Sequence, residues 1–125
     1  MNKAKLIIRI LLGLMLVVFG LNKFLQFMPM PTMPDEAGEF MGALVKSGYI
    51  MVIVAIVEIV AGVLLLANKY QPLILVILFP ILLNAFLFHL FLDPAGIGGA
   101  ALAIAMNIFL FFVNKESYKS LFNSK

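Results

Sequence analysis

The stretch from residue 50 to residue 67, IMVIVAIVEIVAGVLLLA, decides the fold, because it is apolar throughout except for one carboxylate, Glu58. A helix crosses a bilayer with roughly 17–25 mostly apolar residues, and this stretch meets that length. A carboxylate at mid-membrane depth costs about 2.5–3.5 kcal/mol on insertion scales, so a chain keeps one only where a partner, a proton or a cavity offsets that cost. The sequence therefore predicts a spanning helix with a polar site near its middle.

Three further apolar stretches of spanning length accompany this one. The predicted spans cover residues 6–25, 50–67, 72–92 and 97–113. The chain of 125 residues is 64% hydrophobic and 12% charged, whereas soluble domains average about 45–50% apolar and about 25% charged residues. We therefore predict an all-α membrane protein, a single four-transmembrane-helix bundle over residues 1–125, with the lipid bilayer as a partner.

The charged residues predict the orientation of this bundle. Short turns at residues 68–71 and 93–96 make spans two to four antiparallel neighbours. Basic residues cluster at the N-terminus, in the second loop and at the C-terminus, whereas the first and third loops are acidic apart from Lys46. The positive-inside rule then places both termini in the cytoplasm. No small-x-small cleavage site follows the first apolar stretch, so we expect that helix to be retained. The net charge of +3 is too small to indicate a nucleic-acid partner.

The first loop, residues 28–49, is the only long one. It begins with a proline-rich segment, which favours an extended path. Apolar residues at helical spacing follow, namely Ala37, Phe40, Met41, Leu44 and Val45. This pattern predicts a short amphipathic helix on the outer face. Such a helix either covers the end of the bundle or forms a lid over a site in the outer half of the membrane.

Small residues in the spans predict close packing between helices. Three pairs have a helical spacing of seven or four residues: Gly13 with Gly20, Ala55 with Gly62, and Ala101 with Ala105. Pro80, inside the third span, predicts a kink there.

Six polar residues of the spans form the candidate site. They are Asn22, Lys23, Glu58, Asn84, His89 and Asn107. Side chains lean toward the N-terminus of their helix, so Lys23 and Glu58, on antiparallel spans, lean toward each other. A buried ion pair between them is predicted, provided that the first two spans touch.

The remaining polar residues are expected at compatible depths. Asn84 and Asn107 are predicted near the midplane, where they could hydrogen-bond each other or Glu58. His89 and Asp93 are four residues apart on one helix face and are predicted to pair at the outer surface. Asp93 followed by proline is also typical of a helix N-cap.

Three roles for this polar constellation remain open on the residues alone. It could fix helix register and association without any chemistry. It could bind the polar head of a lipophilic molecule, and a quinone is a suitable one because it needs hydrogen-bond partners at its carbonyls and a protonatable group nearby. It could also be a short proton path through Glu58 and His89, in a small transport unit.

Metal and redox centres are poorly supported by the sequence. Cysteine is absent, which excludes thiolate metal sites, iron–sulfur clusters and dithiol relays within the chain. One histidine and one mid-membrane carboxylate are too few for zinc, and nothing indicates that His89 pairs with a methionine around haem. We expect no metal site.

The chain resembles the DoxX family of small four-helix membrane proteins. The resemblance extends over nearly the whole chain. It rests on GLNKF at residues 20–24, VEIVAGVLLL at residues 57–66, the segment from Asn84 to His89, and DPAG at residues 93–96. Their order and placement are more specific than any single motif.

The resemblance implies a bacterial inner-membrane protein with a role beside redox enzymes. Related proteins include the small subunit of a thiosulfate:quinone oxidoreductase and partners of oxidative-stress enzymes. A chain without cysteine would need another subunit to handle sulfur. The expectation is therefore an auxiliary or anchoring subunit of a membrane redox system, not an enzyme by itself, with a protein partner in a membrane complex and quinone as a candidate ligand. The alternatives are a purely structural or assembly subunit of a larger membrane complex and a small proton-conducting or transport unit.

Overall fold

The computed structural model describes residues 2–25 and 33–123, and these residues form helices joined by short turns. The five α-helices are α1 (Asn2–Leu25), α2 (Asp35–Lys46), α3 (Ile50–Leu66), α4 (Gln71–Phe91) and α5 (Ile97–Val113). Short 3₁₀ segments cover Pro94–Gly96 and Lys115–Phe122. The described ranges contain no strand, so the predicted all-α fold class is confirmed. Most of the proline-rich segment in the first loop lies outside the described residues.

Three helical segments are long and apolar enough to span a membrane by themselves. They are Lys3–Leu25, Gln71–Phe91 and Pro94–Val113. Helix α3 has 17 residues and follows α2 after a bend of 86°, and together this pair meets the length of a further span. The described part of the chain thus has three to four candidate spans, as expected for a membrane helix bundle.

The four long helices form a ring in which each packs against two others, in the order α1, α3, α4, α5 and back to α1. Helix α1 makes its most extensive contact with α3, and α4 makes its own with α5. The shared core is built of leucines from α1, α3, α4 and α5, such as Leu12, Leu65, Leu78 and Leu110, all fully buried. The contact between α3 and α4 is the least extensive of the four.

Glycines hold α1 and α3 close together along their length. A Cβ atom on Gly62 would lie 2.7 Å from the carbonyl oxygen of Gly13, and one on Gly20 would lie 3.0 Å from the carbonyl oxygen of Ala55. Any side chain at these glycines would therefore separate the helices. The close packing predicted from this spacing is confirmed here, but it is wrong for α5, where Ala105 is exposed and the buried face runs through Ala103, Met106 and Leu110.

Helix α2 has the predicted amphipathic character. Ala37 is fully buried, whereas Val45, which the spacing placed on the same apolar face, is largely exposed. Asp35 and Glu36 occupy its first turn and Lys46 its last, where their charges complement the helix dipole. Gly48 lies in the bend between α2 and α3 and has a φ of 82°, a conformation that favours glycine.

The end of the bundle at which α1 begins, called the terminal end below, also includes the α3–α4 turn and residues 113–122. Arg9 is buried there, and its Nη1 donates to the carbonyl oxygens of Leu65 and Leu66 at the end of α3. From the sequence Arg9 was interpreted only as a marker of orientation. It also supplies a donor to the Leu66 carbonyl, one of those that a helix C-terminus leaves without a partner, whereas the Leu65 carbonyl accepts in addition from the backbone N–H of Asn68.

A chain of amides continues across the terminal end. Lys5 Nζ donates to Asn114 Oδ1 over 3.5 Å, Asn114 Nδ2 donates to Gln71 Oε1 over 2.8 Å, and Gln71 Nε2 donates to Asn68 Oδ1 over 3.1 Å. The Tyr118 hydroxyl donates to the carbonyl oxygen of Pro72 over 2.8 Å, and burial raises the pKa of Tyr118 to about 12. These contacts link α1, α4 and the segment after α5.

Candidate functional site

A cavity of about 490 Å³ lies at the opposite end of the bundle, called the cavity end below. Its walls come from the end of α1, from α2, α3 and α4, and from Asp93. Five polar or charged side chains line it: Lys23, Glu58, Asn84, His89 and Asp93. The remaining lining is apolar, including three methionines and the rings of Phe40 and Phe88. This volume is in the range of about 300–1,000 Å³ that is usual for small-molecule sites.

The first polar feature of the cavity is the predicted ion pair, which is present. Lys23 Nζ lies 2.6 Å from Glu58 Oε1, and the Glu58 side chain is only 7% exposed. The pair links α1 to α3, which the glycine contacts already hold side by side. The buried carboxylate oxygen thus has an ammonium partner, which offsets the cost of placing its charge in an apolar bundle.

The second polar feature is formed by His89 and Asp93. His89 Nδ1 lies 3.2 Å from the backbone oxygen of Asp93 and 3.8 Å from its Oδ2. If Nδ1 carries the proton and donates to that backbone oxygen, Nε2 is left as an acceptor. Asp93 is 4% exposed and takes the predicted N-cap position, with proline at the start of the helical segment that follows, but its side chain makes no capping hydrogen bond.

Gly96 provides the space for the imidazole. A Cβ atom at this position would lie 2.7 Å from His89 Cε1 and 2.8 Å from His89 Nδ1. The turn after α4 therefore fixes the histidine ring from one side, while the backbone of Asp93 orients it by a hydrogen bond. The role of Gly96 could not be found from sequence spacing, because it depends on how the turn folds back over the last turn of α4.

Helix α2 covers one side of the cavity. Phe40, Met41 and Leu44 line the cavity from α2, and the Phe40 ring stacks on Phe88 of α4 with a centroid separation of 5.5 Å and an interplanar angle of 28°. Offset stacks of this kind are typically worth about 0.5–1.5 kcal/mol beyond area burial. Helix α2 therefore lies against the cavity, a position that fits both the cover over the bundle end and the lid predicted from the sequence.

Along α4, the cavity extends to the apolar face of the helix that is exposed on the outside of the bundle. Pro80 and Asn84 line the cavity and are themselves exposed. They follow Leu73 and Ile77, both exposed, at helical spacing, so all four lie on one face. The cavity is thus bordered by the outside of the bundle where α3 and α4 make their limited contact.

Two of the six predicted site residues do not line the cavity. Asn107 is fully buried elsewhere, and its Nδ2 donates to the carbonyl oxygen of Leu75 over 3.4 Å. Its Oδ1 has no hydrogen-bond partner among the described residues. The predicted contact of Asn107 with Asn84 or Glu58 is therefore wrong, because the antiparallel α5 places Asn107 opposite the first half of α4. Asn22 is not among the lining residues either.

One lining residue was missing from the predicted site set. The sequence analysis identifies Asp93 as a partner for His89 and as an N-cap, and its i, i+4 spacing from His89 was the signal that could have included it. Within residues 2–25 and 33–123, no three His, Asp or Glu side chains are grouped so that they could hold a metal ion.

Comparison with known proteins gives one family. The sequence model of the DoxX family matches residues 4–90, which extend from the start of α1 almost to the end of α4 and include Lys23, Glu58, Asn84 and His89. Neither the curated proteins nor the solved structures contain a match to the chain. Because the family match covers more than half of the sequence, the chain belongs to the DoxX family.

Proposed function

We propose that the cavity binds a lipophilic small molecule with a polar head, such as a quinone, and that the chain is an auxiliary or anchoring subunit of a membrane redox system. The observation that carries this proposal is the lining of the cavity. Two acid–base pairs, Lys23 with Glu58 and His89 with Asp93, face one apolar space of about 490 Å³. Apolar walls with a few convergent polar groups are the usual composition of a small-molecule site.

The polar groups suit a head that accepts hydrogen bonds and exchanges protons. The Lys23 ammonium is a donor, the side-chain amide of Asn84 is both donor and acceptor, and the His89 ring can take or give a proton. The carbonyl oxygens of a quinone would accept hydrogen bonds from the first two groups. The apolar residues of α2, α3 and α4 would surround its ring or tail.

The exposed side of the cavity supports a ligand that arrives through the lipid. Pro80 and Asn84 border the cavity on the outer, apolar face of α4. A molecule dissolved in the bilayer could reach the polar groups there without crossing water. This geometry favours a lipophilic ligand over a water-soluble one.

The proposal includes a location and an orientation. We place the protein in a bacterial inner membrane with both termini in the cytoplasm, because the terminal end carries most of the lysines and Arg9. The cavity then lies in the half of the membrane that faces away from the cytoplasm.

Native mass spectrometry of the protein extracted gently from its own membranes tests the ligand. We expect a retained mass of a few hundred daltons, identifiable as a quinone or another lipophilic molecule. Glu58→Gln should lose this mass while the folded bundle persists, because the amide cannot hold Lys23 as a carboxylate does. The matched control is Glu116→Gln, since Glu116 forms an exposed ion pair with Lys119 at the terminal end.

The alternative of a structural or assembly subunit has one observation in its favour. The Lys23–Glu58 pair joins two helices, and such pairs can serve association alone. A retained protein chain without any small molecule in the same spectra, unchanged by Glu58→Gln, would favour that role and overturn the ligand proposal.

A further inference from the structure

The charges around the cavity are unbalanced. Its one lysine, Lys23, is already neutralised by Glu58 at 2.6 Å. The second carboxylate, Asp93, has a side chain only 6% exposed, and its closest cation-forming neighbour in the described part of the chain is His89 at 3.8 Å. With a neutral imidazole, the formal charge of the lining is therefore −1.

Acidic residues on α2 extend this negative charge beyond the cavity. Asp35, Glu36 and Glu39 are exposed on α2, and Lys46 is the only basic residue of that helix. The same helix supplies Phe40, Met41 and Leu44 to the lining. Charges of one sign beside a low-dielectric cleft concentrate their field in it, so a cation is attracted to this end and an anion is repelled.

The apolar lining is also suited to an organic cation. The rings of Phe40 and Phe88 stack at the cavity wall, and three methionine thioethers accompany them. Aromatic faces attract quaternary cations, and more strongly when water is excluded. Polarizable thioethers adapt to ligands of different shape.

We infer that the cavity selects ligands by the sign of their charge, taking lipophilic organic cations in preference to lipophilic anions, with Asp93 as the counter-charge. This inference rests on the proposed function, because it requires that the cavity is a ligand-binding site. It adds the class of ligand: a bulky apolar cation seated against Phe40 and Phe88, next to the Asp93 carboxylate. A fatty acid or another anionic amphiphile is excluded by the same charges.

Tetraphenylphosphonium and tetraphenylborate test this inference, because they have nearly the same shape and opposite charges. Binding is measured on the purified full chain in phosphatidylcholine nanodiscs, and each affinity is expressed relative to the concentration of that ion in protein-free nanodiscs, because the bilayer dipole potential concentrates the anion. We expect tetraphenylphosphonium to bind at least about tenfold more tightly than tetraphenylborate, which corresponds to about 1.4 kcal/mol. Equal binding, or tighter binding of the anion, would overturn the inference.

Two variants identify the counter-charge. Asp93→Asn, which keeps the shape of the side chain, should weaken binding of tetraphenylphosphonium about tenfold and leave binding of tetraphenylborate no weaker than in the wild type. Glu116→Gln, at the terminal end, should change neither. If Asp93→Asn leaves cation binding unaltered, Asp93 is not the counter-charge and the inference fails.

Failure of this inference can be told apart from failure of the proposed function. Binding of a neutral quinone analogue together with equal binding of the two ions contradicts only the selection by charge. Absence of binding by the quinone analogue and by both ions contradicts the ligand site itself.

Discussion

The two ends of the bundle use polar residues in opposite ways. At the terminal end, Arg9 binds the last carbonyls of α3, and amide side chains hydrogen-bond one another from Asn114 to Asn68. At the cavity end, the polar side chains form pairs that face a shared apolar space. Polar groups that satisfy one another fix a structure, whereas polar groups turned toward a cavity have capacity left for a ligand.

This contrast predicts that stability and ligand binding depend on different ends. Substitutions at the terminal end should lower the free energy of unfolding and leave ligand affinity intact. At the cavity end, a substitution that leaves no charge unpaired should weaken ligand binding and leave the free energy of unfolding nearly unchanged. The predictions below run from the largest expected effect to the smallest.

The Lys23–Glu58 pair gives the largest expected effect. Glu58→Leu should destabilise the bundle by about 3 kcal/mol, because it leaves the Lys23 ammonium without its partner in a mostly apolar setting. Adding Lys23→Leu should bring the free energy of unfolding back to within about 1 kcal/mol of the wild type, since two leucines carry no buried charge. Both variants should lose the ligand.

Reversible unfolding in mixed micelles measures these free energies, and native mass spectrometry measures the ligand. A double variant as unstable as Glu58→Leu alone would show that the ion pair contributes more than mutual neutralisation. A stable double variant that keeps the ligand would place the binding determinants elsewhere in the cavity.

Arg9, at the terminal end, gives the second-largest expected effect on the free energy of unfolding. Arg9→Met should lower the free energy of unfolding by about 2 kcal/mol, because it removes charge-assisted hydrogen bonds to two carbonyls of α3 and leaves that of Leu66 without a donor. Lys3→Met, at an exposed position of the same helix, is the control and should have little effect. Ligand affinity should not change in either variant, and a loss in Arg9→Met would break the proposed separation of the two ends.

Tyr118 gives the smallest effect and one that depends on pH. Tyr118→Phe should cost about 1 kcal/mol, since one hydrogen bond to the Pro72 carbonyl is lost. Burial raises the pKa of Tyr118 to about 12, whereas an unfolded tyrosine ionises near pH 10. The folded state therefore favours the protonated phenol, and its contribution, complete below pH 10, is lost as the pH rises toward 12.

The free energy of unfolding is measured at neutral pH and then from pH 9 to pH 12 in steps of about one pH unit, to check the direction of this pH dependence. The wild type should lose stability over this interval more steeply than Tyr118→Phe. Parallel curves for the two proteins would mean that the phenol titrates alike in the folded and unfolded chains.

The features that were predicted correctly are those that depend on local sequence. Apolar runs, turn residues and the spacing of Ala37 to Leu44 indicated the helices. The Lys23–Glu58 pair was also predictable, because its geometry follows from the depth of two residues on antiparallel helices and from the tilt of side chains. The glycines of α1 and α3 indicated close packing because small residues recur there on one face of each helix.

The errors concern how the helices are rotated and shifted against one another. Asn107 was predicted beside Asn84 but contacts the Leu75 carbonyl, about two and a half helical turns further toward the start of α4. Arg9 was interpreted, with the other basic residues near the N-terminus, only as a marker of orientation, although it reaches carbonyls of residues 56 and 57 positions later in the chain. Neither contact leaves a periodic signal in the sequence.

The sequence by itself determined that this protein is a helical membrane bundle of the DoxX family, and that a lysine and a glutamate would meet inside it. These properties follow from hydropathy, length and depth, which are local quantities. Only the tertiary structure decided that Lys23, Glu58, Asn84, His89 and Asp93 share one cavity and that Asn107 does not. The reason is steric: the glycine contacts set the rotation of α1 on α3, α2 covers one side, and the limited contact of α3 with α4 leaves the space between them.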